Sequence, residues 1–124
     1  MLTTKQIENG KMNAPTPHER HHEHDDCIRM AYEWLDAQKR TKQPTSKPFA
    51  LKHIIENWGG RYVSQSDVEV AAWLHPDIKG TYPYFNISAR LTLPSESRLE
   101  GIGEAYKHNS SPKRIDQSIY KFTE

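Results

Sequence analysis

The sequence predicts an α+β domain, and three observations predict it. Ile28, Ala31, Tyr32 and Leu35 lie at i, i+3, i+4 and i+7, and Leu51, Ile54, Ile55 and Trp58 repeat the spacing, so each segment carries an apolar helical face. Ser64 followed by Asp67 has the form of a capping box that opens a further helix. Towards the C-terminus the helical period gives way to Gly101 and Gly103, then the turn formers Asn109, Ser110, Ser111 and Pro112, then an alternation from Ile115 to Phe122. That succession reads as two strands joined in a hairpin.

The elements follow in order. Residues 1–18 have no useful period and carry Gly10, Pro15 and Pro17, which predicts a disordered N-terminal arm. Residues 19–42 form an N-terminal helix ending in Lys39, Arg40 and Lys42, cations that its dipole favours. Met30, Trp34 and Ala37 make a second stripe on nearly the opposite side of it. A helix apolar on two sides needs two neighbours, so this stripe is the expected interface of a homodimer. After a short linker, Ser46 can cap and Pro48 can enter the first turn of the next helix, which Gly59 and Gly60 end. Arg61, Tyr62 and Val63 make a short strand. Val68, Ala71, Ala72 and Leu74 then continue the capped helix to His75, where Pro76 stops it. Residues 75–83 are turn-rich, 84–93 form a short helix with Ile87 and Leu91 inward, and 98–106 form a bent strand. Residues 107–113 loop to the returning strand.

Composition excludes several classes. The chain has 124 residues, 35% of them hydrophobic, and its mean hydropathy is −0.90, so its core must be compact. Three Trp, six Tyr and three Phe can supply that core. Trp34, Tyr62, Trp73, Tyr82, Tyr84 and Phe85 are expected to form it and its lid rather than to stack on bases. No apolar run approaches the roughly 18 residues of a membrane span. The single Cys27 rules out an internal disulfide and suits a cytoplasmic setting. Seventeen basic residues balance sixteen acidic ones, and the charge is distributed unevenly: acidic from His18 to Asp26, basic from Lys107 to Arg114.

No reaction is legible. His18, His21, His22, His24, Asp25, Asp26 and Cys27 crowd together, but a closed zinc site needs four ligands at a suitable spacing. The cluster is expected to be a solvated helix start, with no metal and no cofactor. His53, His75 and His108 pair with no nucleophile or acid at a telling distance in sequence, and Gly101-Ile102-Gly103 lacks the Lys-Ser of a phosphate loop. The chain is not expected to be an enzyme.

From residues 48–124 the order helix, short strand, helix, turn, helix, strand, basic loop, strand resembles a winged helix-turn-helix domain. The helix Leu51–Trp58, the strand Arg61–Val63 and the helix opened by Ser64 carry the resemblance, with Asn86–Leu93 as recognition helix and Ala105–Ile115 as the wing. The resemblance implies duplex DNA as partner: Asn86, Ser88 and Arg90 at base edges, and Lys107, Lys113 and Arg114 on phosphates. It implies a small transcriptional regulator of the kind found in bacteria or mobile elements. The alternative is a protein-interaction module, an inhibitor or adaptor using the same scaffold without DNA.

Overall fold

A computed structural model describes residues 1–16, 21–45, 49–107 and 117–124. Four helices come first: α1 (Thr4–Asn13), α2 (Asp25–Asp36), α3 (Leu51–Gly59) and α4 (Gln65–Leu74). Strands β1 (Gly80–Thr81), β2 (Tyr84–Phe85), β3 (Leu91–Leu93) and β4 (Tyr120–Thr123) follow, with 3-10 turns at Glu96–Leu99 and Gln117–Ile119. The class is α+β, as expected.

The predicted arm is a docked helix over most of its described length. Gln6 N donates to Thr3 Oγ1 (3.1 Å) and Thr3 N to Gln6 Oε1 (2.8 Å), a capping box that starts α1. Ile7 and Gly10 are buried, and α1 lies against α4. A Cβ on Gly10 would sit 2.8 Å from Val70 Cγ1, so the two helices meet backbone to side chain there. Gly10→Val should therefore lower stability by about 2 kcal/mol in urea unfolding, the usual cost of overpacking. An unchanged midpoint would mean that α1 does not pack on the body.

Helix α2 is shorter than the predicted 19–42, and its cap is His24, whose Nδ1 accepts from Asp26 N at 3.0 Å. Its second stripe is filled from within the chain. Met30 and Trp34 are fully buried. Met30 Sδ lies over Gly59, where a Cβ would approach it to 2.6 Å, and Trp34 Nε1 donates to Tyr120 Oη at 3.0 Å. Ala37 is the C-cap, half-buried. The expected dimer interface is therefore interior to one chain. The second neighbour that a doubly apolar helix needs is this chain's own C-terminal strand and α3.

Helices α3 and α4 form where the stripes place them. Gly60 takes a left-handed φ of 67° after α3, and Asp67 N donates to Ser64 Oγ (3.1 Å) at the start of α4. The N-cap of α3 is Ala50, with no side-chain bond; Ser46 and Pro48 lie outside the described residues. Arg61 is a bend, Tyr62 and Val63 are irregular, and none of the three joins a strand among the described residues. Helix α4 packs on α1 and α2 together, which is why Ser66 through Ala72 are buried without a break.

The C-terminal half departs most from expectation. Residues 84–93 are not a helix. Tyr84–Phe85 pairs with Gly80–Thr81 in a tight antiparallel hairpin, Ile87 bridges Arg40, and Leu91–Leu93 is a strand. Gly80 has φ 109°, and a Cβ there would collide with the Tyr84 carbonyl oxygen, so the hairpin requires glycine. Residues 98–106 are a 3-10 turn followed by further turns, not a strand. β4 arrives as expected near the end of the chain, but it pairs parallel with β3 rather than as the return of a hairpin. The other side of β3 is sealed by a side chain. Gln38, 1% exposed, donates through Nε2 to Thr92 O (2.9 Å) and accepts at Oε1 from Thr92 N (2.9 Å), so its amide stands in for a neighbouring strand.

One ion-pair network ties the end of the chain to α2. Arg98 reaches Glu33 (3.0 Å), Asp36 (2.9 Å) and Glu124 (2.6 Å). Arg98 chiefly holds the Glu124 carboxyl below the ordinary range. Burial opposes ionisation of Asp36, but hydrogen bonds from His75 and Arg98 outweigh it and keep that carboxyl low as well. Glu23 is lowered by Arg61 and then His21. Depressed acids contribute stability that is complete above their unfolded pKa and lost as pH falls through the folded value. Urea midpoints should thus hold steady down to about pH 5 and then fall below about pH 4. Salt should shallow the fall, because these groups are partly exposed. A midpoint that rises below pH 4 would contradict the network.

Candidate functional site

Asn86, Ser88 and Arg90 do not line a helix face. Asn86 is buried and works as a brace: Lys79 N donates to its Oδ1 (2.7 Å), and its Nδ2 donates to Asp77 O (3.0 Å). Its amide is engaged by backbone instead of being presented on a helix face. Ser88 is half-buried and its Oγ accepts from Arg90 N (3.1 Å). Arg90 is exposed.

Backbone bonds gather three segments around that brace. Ser88 N donates to Lys39 O (2.7 Å), Thr41 N to Asn86 O (2.9 Å) and Asn86 N to Lys79 O (3.0 Å). The segment 86–90, which ends in the exposed Arg90, thereby lies beside the segments that carry Lys39, Arg40, Lys42 and Lys79, all exposed. Lys39 Nζ rests over the Phe122 ring at 3.6 Å, and Arg40 pairs with Asp36 at 3.4 Å while its Nη1 donates to Asp36 O (3.0 Å) and Gln38 O (2.9 Å). Lys42, Lys79 and Arg90 form no ion pair with a described residue. The cations come from the tail of α2, the approach to β1 and the bend before β3, so no single stretch of sequence reveals the ring.

Lys107 is exposed, but the neighbouring Tyr106 N donates to Gly59 O (2.7 Å), which puts this basic residue at the end of α3 instead of on the ring. Lys113 and Arg114 lie outside the described residues.

Beside the ring, a cavity of about 260 Å³ opens between α4 and the β1–β2 hairpin. Ala72, Trp73, Ile78, Tyr82 and Phe85 give it apolar and aromatic walls, and Glu69 lines it as well. Ile78 and Gly80, on either side of Lys79, both line it, so the cavity and the ring share an edge. Tyr82 and Phe85 meet edge to face, centroids 6.1 Å apart at 75°. Tyr82 Oη accepts from Lys52 N (3.3 Å). Burial pushes its phenol pKa up, and the charge of Glu69 adds to that rise. Trp34 and Phe85 are core, as expected, but Tyr62 is 43%, Trp73 45% and Tyr84 44% exposed. No local signal marks the exposure of Trp73, because it continues a helix in which Ser66 through Ala72 are all buried.

Glu69 also lines a second, polar cavity of about 440 Å³ with His21, Lys52, Tyr62, Gln65 and Ser66. Here the histidine cluster turns out to be structural. His22 Nδ1 meets the buried Asp67 at 3.0 Å, His21 Nε2 meets Glu23 at 2.6 Å, and Ser64 Oγ donates to His21 O at 2.6 Å. These bonds tie the approach to α2 onto the start of α4, which differs from a merely solvated helix start. His18 lies outside the described residues. Among the described residues no three His, Cys, Asp or Glu side chains converge where a metal ion would sit. Cys27 is buried, which drives its thiol up to about 12 and leaves it an inert packing group. No family model matches the chain, and no curated protein or solved structure matches it either.

Proposed function

We propose that this is a small DNA-binding protein that grips the phosphate backbone with the basic ring around residues 86–90. The observation that carries the reading is that backbone bonds bring together the segments bearing Lys39, Arg40 and Lys42, Lys79, and Arg90, five exposed cations, around Asn86. Acids gather at Glu23, Asp25 and Asp26 and from Glu96 to Glu104. Asp36, paired with Arg40, and the exposed Asp77, whose carbonyl the Asn86 brace holds, stand among the cations, so the ring is mixed with a basic excess. The reading needs no recognition helix. Phosphate contacts fix position and affinity, and Asn86 serves by holding the loop that presents them.

Each phosphate neutralised adds about 0.9 to the slope of log affinity against log salt on duplex DNA. Replacing Lys39, Lys42, Lys79 and Arg90 together by Ala should therefore lower that slope by about 3.6, with Arg40 left in place because it holds Asp36. Fluorescence anisotropy with labelled DNA measures it. Absence of binding to duplex and single strand alike at about 25 mM salt would end the reading.

A protein-interaction module is the second reading, favoured by the half-exposed Trp73 and Tyr84, since aromatic residues are enriched at interfaces. Selection of a displayed peptide library on the protein, with DNA competing, separates the two. A peptide that binds through Trp73 and is not displaced by DNA would favour the second.

A further inference from the structure

We propose that the cavity between α4 and the β1–β2 hairpin receives one unpaired base of a DNA single strand whose backbone runs along the basic ring. This rests on the DNA-binding reading. Three features of the cavity carry it, and they are independent of the ring's charge.

The first feature is shape and lining. At about 260 Å³ the cavity is roomy enough for a single heterocycle, and Trp73, Tyr82 and Phe85 offer it aromatic surface. Every base has a π-face, so aromatic walls accept a base whatever its identity. A base still paired in duplex cannot present that face, which commits the site to single strands. The second feature is the exposure of Trp73. A tryptophan left 45% exposed in a chain whose other two, Trp34 and Trp58, are at most 1% exposed is an open stacking platform. The third is Glu69. It is 8% exposed, lines the cavity, and accepts from Gln65 Nε2 at 3.3 Å. A carboxylate can take hydrogen bonds from the exocyclic amine of cytosine, as thymine cannot offer. That predicts a preference of cytosine over thymine.

Placement supports the route. Lys79 sits between two residues that line the cavity, and Phe85, which lines it, precedes Asn86 at the centre of the ring. Gly80 and Phe85 are paired across the hairpin, which ties the cavity wall to the segment that begins at Asn86. A strand whose phosphates follow Lys79, Lys42 and Arg90 would pass the cavity mouth.

The test uses the full chain with labelled oligodeoxycytidylate and oligothymidylate of about a dozen nucleotides, and a duplex of the same length. Intrinsic fluorescence gives a second readout, because Trp73 is the only exposed tryptophan of the three. The wild type should bind oligodeoxycytidylate at least about tenfold more tightly than duplex, with quenching of Trp73. Trp73→Ala should lose about tenfold on single strands and leave duplex affinity unchanged, and Trp73→Phe should restore most of the loss. Glu69→Gln should shrink the preference of cytosine over thymine. If the single strand and duplex bind alike and Trp73→Ala weakens neither, the base cavity is wrong and the DNA-binding reading stands. If neither form binds at low salt, both are wrong. If a selected peptide rather than an oligonucleotide quenches Trp73, the cavity belongs to a protein partner.

Discussion

Trp34→Glu will abolish the native fold instead of splitting a dimer. The indole has no exposed surface, and its Nε1 donates to Tyr120 Oη, a bond linking α2 to the last strand. Removing a buried tryptophan costs about 3–5 kcal/mol, and a glutamate adds the cost of burying a charge without a partner. Domains of this size hold only about 5–15 kcal/mol in total. Far-UV and near-UV circular dichroism should show loss of fixed tertiary structure. Trp34→Phe keeps the bulk and loses the hydrogen bond, and it should remain folded with a lower melting temperature. A folded Trp34→Glu monomer beside a dimeric wild type in sedimentation would restore the dimer interface and contradict the structure.

Gln38→Leu should cost about 3 kcal/mol although it keeps the side-chain volume and adds apolar area. Leucine satisfies neither Thr92 N nor Thr92 O, which would then face the interior without a partner. Each orphaned backbone group costs about 1–3 kcal/mol. Nε2 also donates to Trp34 O, so the variant loosens the C-terminal end of α2 as well. Guanidinium unfolding reads the loss. A Gln38→Leu protein as stable as wild type would mean that water reaches Thr92 and that β3 has an open edge.

These two residues show where sequence reasoning ends. The two helices α3 and α4 were legible because their signals are local: a stripe at helical spacing, Gly60 past the end of one, Ser64 and Asp67 at the start of the other. The cap formed by His24 was hidden among histidines that looked solvated. Ile87 and Leu91 misled because a spacing of four suits a helix face and equally suits a bridge followed by a strand, and only distant partners, Arg40 and Tyr120, decide between them. The parallel pairing of β3 with β4 had no local signal, since the described part of the connection between them, 94–107 and 117–119, carries no long helix. The arm was misread for a different reason. Gly10 looks like a breaker, yet it lets α1 approach α4 closely. At the site, Asn86, Ser88 and Arg90 were expected on one face of a recognition helix, whereas no helix forms there, the Asn86 amide is bonded to backbone, and the cations around it are scattered over three segments.

The central claim is that the ring around residues 86–90 and the adjoining cavity face the ligand. Its most direct test is a map of backbone amide shifts in a heteronuclear NMR titration with oligodeoxycytidylate. The account predicts that the perturbed amides fall in 39–42, at Trp73 and in 78–91, with the start of α2 and the turns after Leu99 unmoved. Perturbation centred on Lys107, or on the histidine-rich approach to α2, or no perturbation at all at low salt, would contradict it.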